Sequence, residues 1–521
     1  MGRRSQTFFS TVHPAVFVAS ATIVVAFLAF GVIVPETASR AFGNLQAFIT
    51  EYFGWFYLLA VTSFLIFLTW LGLGRYGAIR LGQPDERPEF KFGAWFAMLF
   101  STGMGIGLVF WSVAEPILHY QNPPTGEGLT PEAARQAMVY TFFHWGLHAW
   151  AVYVVLGLSV AYFSYRHRLP LTIRSIFYPL LGDRIYGPAG HVIDVLAVFG
   201  TLFGLATSLG FGAMQLNTGL NVLLGLPVSV GYQVAIIGSI TTIAVISVLS
   251  GLDRGLKWLS IFNLTLALVV LAFVIVAGPT LFIMRLFVDS TGGYLQQLIG
   301  MSLNTDPIGD SSWYKDWTIF YWGWWIAWSP FVGIFIARVS RGRTIRQFIG
   351  GALALPTLFV FLWMAAFGGS ALHFEIFDDT AGIATAVSED TTIALYALLD
   401  QLPLTTFASG LATLLIATYF ITSSDSGTHV VDALMSRGNK HSPRGQRVIW
   451  GVTEGAVAAT LLIVGGQKAL DSLQTGAITA GLPVAVILCF ACFSLVRALG
   501  REFRVEGVRP PWGPASEREK K

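Results

Sequence analysis

Apolar residues run along this chain in long unbroken stretches, unlike the alternation of a half-buried strand or the one-sided stripe of a surface helix. Twelve stretches reach about twenty residues or more, the length at which a helix crosses a bilayer. They cover 14–34, 52–74, 93–114, 136–165, 190–222, 231–250, 258–287, 317–338, 347–372, 395–425, 447–466 and 474–497. Pro403 interrupts the start of the tenth. The first follows Arg3 and Arg4, but its apolar core is too long for a signal peptide and no small-residue cleavage site follows it. The pattern predicts an all-α polytopic membrane protein of 12 transmembrane helices.

Composition removes the main competitor. Of 521 residues, 54% are hydrophobic and 12% charged, against roughly a quarter charged in soluble domains. With 41 Phe and 16 Trp, the apolar material exceeds what a soluble enzyme's cores hold. Cys489 and Cys492 lie in one apolar stretch and read as two small buried thiols. The net charge of +3 implies no nucleic acid partner.

The distribution of charge is more informative. When loops are assigned alternately to two sides, 27 of the 32 Lys and Arg fall on one side. That side holds Arg3, Arg4, Arg75 to Lys91, Arg166 to Arg184, Arg254, Lys257, Arg338 to Arg346, Arg437 to Arg447, and Arg497 to Lys521. The other holds Arg40, Arg135, Arg285, Lys315 and Lys468, with acids such as Asp378, Asp379, Glu389 and Asp390. The positive-inside rule then places both termini in the cytoplasm.

Two spans break the apolar pattern in mid-membrane. The third contains Gly103-Met104-Gly105-Ile106-Gly107, and each glycine costs about 1 kcal/mol of helix propensity relative to alanine. Unwound backbone at that depth must line a cavity. The spacing also satisfies GxxxG helix packing, although the third glycine favours a break. The eighth contains Tyr321 to Pro330, with Pro330 removing a backbone donor and tryptophans far from the interfaces. Five spans separate their starts, so spans 3–7 and 8–12 read as two inverted repeats with broken first helices. The layout is a tail over 1–13, two peripheral helices over 14–74, repeats over 93–287 and 317–497 flanking an external segment 288–316, and a basic tail over 498–521.

The aromatic residues carry the candidate chemistry. On a helical wheel Trp322, Trp324, Trp325 and Trp328 fall within roughly 160° of one another, and Trp145, Trp150 and Tyr153 of the fourth span within roughly 140°. Two facing walls make a box for a quaternary ammonium, attracted to ring faces at about 0.5 to 2 kcal/mol per contact. Plain packing is the competing reading of any one such tryptophan. His144 and His148 are four apart with no third metal ligand evident, and read as a packed, hydrogen-bonded pair. Glu115 lies at the end of span three, and Glu454 lies within span eleven, where an ionisable group is a functional suspect, without an identified partner.

At these residues the chain resembles the betaine/choline/carnitine transporter family. The resemblance runs from the first span to the last and is most specific over Trp317 to Phe348, including Tyr321 to Pro330 and Ala337-Arg338-Val339-Ser340-Arg341-Gly342-Arg343. Gly103 to Gly107 followed by Trp111-Ser112-Val113-Ala114-Glu115-Pro116, and Thr422-Ser423-Ser424-Asp425-Ser426-Gly427, are further family-like blocks. The resemblance implies a LeuT-like inverted repeat and a homotrimer in the inner cell membrane. It makes Trp324, Trp325 and Trp328 substrate residues, facing the wall of Trp145, Trp150 and Tyr153, with the backbone at Gly105 and Gly107 open to the substrate carboxylate and Trp322 on the access path. Hydroxyls at Thr422 and Ser423 would bind sodium together with the backbone carbonyls of Ser101 and Met104. A second sodium site would use Thr201 and the ring of Phe331, but Leu205 stands where sodium-coupled members usually carry another hydroxyl.

The function expected is sodium-coupled symport of a trimethylammonium osmolyte, foremost glycine betaine, by alternating access. No cofactor is expected beyond the coupling sodium ion, and the partners are a small zwitterionic or cationic substrate and the lipid bilayer. The alternative is a sodium-independent choline or carnitine carrier working by proton symport or substrate/product antiport. Gly107 argues against it, since the resemblance implies Asp at that fifth motif position in such carriers. An intramembrane enzyme lacks a nucleophile, metal cluster or phosphate loop in the sequence, and a channel lacks a continuous polar stripe.

Overall fold

The computed structural model describes residues 12–103, 105–250, 253–308, 312–378, 380–436 and 443–506. The regular structure there is helical, apart from one β-bridge between Arg80 and Thr344. Helices α1 (Pro14–Ile33) and α2 (Pro35–Leu73) come first. The first half continues with α3 (Phe92–Gly103), α4 (Ile106–Gln121), α5 (Pro131–Trp145), α6 (Leu147–Ala161), the short α7 (Tyr178–Leu181), α8 (Pro188–Leu224), α9 (Val230–Ser250), α10 (Asp253–Ala277) and α11 (Thr280–Ser302). The second half holds α12 (Trp313–Asp316), α13 (Thr318–Val339), α14 (Ile345–Phe377), α15 (Ile383–Glu389), α16 (Ala394–Asp400), α17 (Thr405–Met435), α18 (Arg444–Gly465) and α19 (Ala469–Glu506).

Among the described residues, ten helical runs are long and apolar enough to cross a membrane. The protein is therefore an all-helical, multi-pass membrane protein. The difference from twelve has two sources. The third stretch is divided between α3 and α4, each too short to count alone, and α18 runs into α19 through the single turn Gly466–Lys468. The apolar run 258–287 ends as a helix at Ala277, because Gly278 and Pro279 separate α10 from α11. Pro403 lies in the turn between α16 and α17, so the tenth span begins at Thr405.

The third span breaks where the glycines predict. Gly105 is fully extended (φ −146°, ψ −177°) between α3 and α4. The eighth does not, and this corrects the expectation of a second broken helix: α13 is continuous from Thr318 to Val339 with Pro330 inside it. Pro330 cannot donate to the carbonyl of Ile326 four residues back. The Ser329 hydroxyl donates to that carbonyl instead, at 2.7 Å. Gly323 serves packing: a Cβ there would lie 2.8 Å from the Cα of Ile478, so α13 and α19 touch at backbone distance. An unforeseen break occurs in the fourth span at Gly146 (φ −90°, ψ −140°), which separates α5 from α6.

Contacts between loops test the two-sided assignment of charge. Leu81 and Arg343 are joined backbone to backbone, Glu86 pairs with Arg341, and Arg346 donates to Gly72. Arg166 pairs with Glu502. All of these lie at span ends assigned to the basic side. At the opposite ends, Lys315 pairs with Glu51, Trp313 donates to the carbonyl of Asn122, and Gln121 donates to Ala384 and Ser388. Arg40, Asp316 and Lys468 also share one cleft. Each bond joins loops of the same predicted side.

Candidate functional site

The α3–α4 break, the C-terminal end of α5, α6 and α13 surround a cavity of about 30 Å³. Its walls include every residue expected to bind substrate: Trp145, Trp150, Tyr153, Trp324, Trp325, Trp328, Gly105 and Gly107, joined by Leu108, Ala149, Ser208 and Val360. None of these side chains carries a charge. Trp145 and Trp325 meet edge to face with centroids 4.8 Å apart, and Trp324 stacks on Trp325 at 4.7 Å. Tyr153 closes the other side, 6.3 Å from Trp325 and 6.2 Å from Trp328. The two glycines bring backbone to the rings; a Cβ on Gly105 would sit 3.5 Å from Trp328. A cavity this small holds a water or two and has no room for a trimethylammonium group unless the rings part. Trp322 faces elsewhere, stacked on His148 at 5.5 Å and packed on Phe143.

Behind Trp145 lies a polar cluster that the sequence reading did not assemble. Glu115 is fully buried on α4. Its Oε2 accepts from the indole N–H of Trp145 at 2.7 Å and from the Tyr321 hydroxyl. Its Oε1 lies 2.7 Å from His144 Nδ1 and 3.2 Å from His119 Nε2. His144 Nε2 is 3.0 Å from the Thr318 hydroxyl, and the His144 carbonyl accepts from Trp325 Nε1 at 2.9 Å. The expected His144–His148 pair is corrected by this arrangement. His144 belongs with Glu115, while His148 bonds the Ser302 hydroxyl at 2.9 Å. The signal available in sequence was Glu115 and His119 at i, i+4, facing a histidine beside a box tryptophan.

The expected sodium ligands are placed as follows. Thr422 Oγ1 donates to the carbonyls of Thr418 and Tyr419 at 3.0 and 3.1 Å and accepts from Asn263 Nδ2 at 3.0 Å. Ser423 beside it is half-buried. Ser101 is described only as part of α3, and Met104 lies outside the described residues. Thr201 bonds back to the Ala197 carbonyl at 2.8 Å, and Phe331 packs on Trp328 at 5.5 Å. Leu205 fills space against Gly427, where an added Cβ would also lie 3.2 Å from Glu454. Glu454 itself is buried, with the Thr428 hydroxyl 3.5 Å away.

Comparison with known proteins agrees with this architecture. Residues 15–504 match the BCCT, betaine/carnitine/choline family transporter, pattern. An uncharacterized transporter of Mycobacterium tuberculosis is 48% identical over 492 residues, 94% of this chain and 83% of the relative. The glycine betaine transporter OpuD of Bacillus subtilis is 46% identical over 485 residues, covering 92% of this chain and 93% of the relative. The high-affinity choline transport protein of Escherichia coli is 42% identical over 508 residues, covering 96% and 74%. The protein is thus a transporter and not an enzyme, and it belongs to the betaine/carnitine/choline transporter family.

Proposed function

We propose that this transporter takes up glycine betaine, or a close trimethylammonium zwitterion, by sodium-coupled alternating access. The observation that carries the reading is the uncharged aromatic cavity between α6 and α13. Ring faces attract a quaternary ammonium that no conventional hydrogen bond can hold. A zwitterion brings its own counter-charge, so the lack of a lining carboxylate suits it better than it suits cationic choline. The indole N–H groups of Trp324 and Trp328 and the Tyr153 hydroxyl are buried without a protein partner and are available to a substrate carboxylate. The named function of the Bacillus subtilis relative supports the same substrate.

Sodium would be held by the Thr422 and Ser423 hydroxyls together with backbone carbonyls of Ser101 and Met104 beside the α3–α4 break, oxygen ligands without fixed charge. Twelve spans in two inverted repeats, termini in the cytoplasm, residence in the inner membrane and a homotrimeric assembly complete the proposal. The deciding experiment is uptake of labelled betaine, choline, carnitine, proline and ectoine into proteoliposomes with and without a sodium gradient. Uphill betaine uptake only with inward sodium is expected. Sodium-independent uphill uptake would replace the reading with a proton-coupled or antiport carrier, which the choline relative keeps in view.

A further inference from the structure

Four donor-bearing side chains from three helices converge on the two oxygens of Glu115, and none of the convergent groups except Trp145 lines the cavity. We propose that Glu115 is a positioning residue of the aromatic cavity, holding Trp145 of α5 and Tyr321 of α13 against α4; the proposal deepens the transport reading and rests on it for the substrate.

The geometry distributes the work unequally between the two oxygens. Trp145 Nε1 can only donate, so Oε2 must accept from it. That bond fixes the indole at the point where α5 ends and Gly146 releases the chain, so helix geometry downstream cannot hold the ring in place. The Tyr321 ring lies 5.6 Å from Trp145 and stacks at 5.8 Å on Trp325, so its bond to the same oxygen ties the two cavity walls together. On the other oxygen, His119 and His144 orient the carboxyl, and the His144 carbonyl in turn holds Trp325. Two of the cavity tryptophans therefore have their indole N–H groups anchored to this cluster, while those of Trp324 and Trp328 have no protein partner.

Glu115, His119 and His144 also have the composition of a divalent-metal site, with ligand atoms within 4.8 Å of one another. Oε1 already lies within hydrogen-bond distance of both imidazoles, and Oε2 is taken by an indole and a phenol, so both carboxylate oxygens are engaged by protein groups, while His119 Nδ1 is buried without a hydrogen-bond partner among the described residues. Glutamine separates the two readings. Its amide oxygen can accept from Trp145 and Tyr321 while its NH2 donates to imidazole nitrogens in the complementary tautomer. As a neutral amide it is a poor substitute for a carboxylate metal ligand.

The test compares Glu115→Gln, Glu115→Leu and Trp145→Phe with the parent, in a background where Cys489 and Cys492 are alanine and Ala149→Cys reports on the cavity. Labelling of that cysteine by a small methanethiosulfonate in detergent needs no substrate. Glu115→Leu and Trp145→Phe are expected to speed labelling by about tenfold, the scale of one lost hydrogen bond to a charged group. Glu115→Gln should stay near the parent rate. In proteoliposomes Glu115→Leu should raise the half-saturating betaine concentration more than it lowers maximal uptake, and Glu115→Gln should restore it. Parent-like labelling in Glu115→Leu, or in Trp145→Phe should Glu115→Leu not fold, overturns the proposal. So does a Glu115→Gln that behaves like the leucine variant, which favours a metal. Faster labelling in a protein that transports no trimethylammonium compound would sink the substrate reading and leave the positioning role standing.

Discussion

The indole of Trp324 lies directly over the backbone of Gly107: a Cβ built on that glycine would come within 2.9 Å of Cζ2, and closer still to Cη2. No side chain fits there while Trp324 keeps its stack on Trp325. Gly107→Asp should therefore displace the ring as well as add a charge. Overpacking of this kind costs about 1–3 kcal/mol, so betaine affinity should fall at least fivefold, with no gain of sodium-independent choline uptake from this change alone. Isothermal titration with both substrates checks it; parent affinity for betaine would show that the cavity tolerates the bulk.

Removing a ring from the cavity should cost affinity without costing expression. Trp325→Leu and Trp328→Leu each lose a contact of about 0.5–2 kcal/mol, or roughly two- to thirtyfold in betaine binding. Phenylalanine should be milder at both positions, keeping a ring face while losing at 325 the bond to the His144 carbonyl and at 328 a donor proposed for the substrate carboxylate. Tryptophan-fluorescence titration in detergent reads the order. Wild-type affinity in both leucine variants would place the substrate elsewhere.

The cavity was largely legible in the sequence, because helical periodicity survives burial: Trp324, Trp325 and Trp328 share a face whatever they pack against. The α3–α4 break was legible for a similar reason, since three alternating glycines act on their own backbone. What escaped was whatever depended on distant partners. Pro330 reads as a break until Ser329 is seen capping the Ile326 carbonyl. Glu115 has no visible purpose until Tyr321, 206 residues away, reaches its oxygen. His144 and His148 suggested a pair by spacing, yet Glu115 on another helix outcompeted it.

Coupling can be tested at α17. Thr422→Ala combined with Ser423→Ala should abolish the sodium dependence of uptake, while Thr422→Ser, which keeps the acceptor for Asn263, should preserve it. A tenfold sodium gradient supplies about 1.4 kcal/mol and 100 mV about 2.3 kcal/mol per charge. Together these support roughly five hundredfold accumulation of a zwitterion per ion. With Leu205 in the second position, at least one sodium per substrate is expected. Reversal potentials at several sodium gradients give the stoichiometry, and persisting sodium dependence in the double variant would move the ion site.

On the basic side, Arg166 and Glu502 form a buried pair in which the guanidinium Nε donates to Glu502 Oε1 at 2.8 Å. Tyr162 donates to the other oxygen at 2.8 Å. Glu502→Gln leaves Arg166 buried against a neutral amide, which should destabilise the protein by about 3–5 kcal/mol. Tyr162→Phe keeps the ion pair and loses one hydrogen bond, so it should cost less. Thermal unfolding in detergent compares the two; equal melting of Glu502→Gln and parent would show the pair to be dispensable.

Next to that pair, burial and then the Arg166 guanidinium hold His167 down at about 3. An unfolded imidazole takes its proton near 6.5, so the unfolded chain binds the extra proton between about 6.5 and about 3. Stability should therefore decline as pH falls through that window and be indifferent to this residue above it. His167→Gln should flatten the acid limb of melting temperature against pH, and coincident curves would assign the limb to other groups.

The continuity of α13 gives the cavity unequal sides. Trp324, Trp325 and Trp328 ride on one uninterrupted rod. The opposing side is articulated twice, at Gly105 and at Gly146, with Trp145 on one side of the second joint and Trp150 and Tyr153 on the other. A clamp with one solid jaw and one hinged jaw yields at its hinges. On the proposed transport reading, α4 and α6 would swivel at these hinges to admit substrate, with the tryptophan rod as the fixed edge against which fit is gauged.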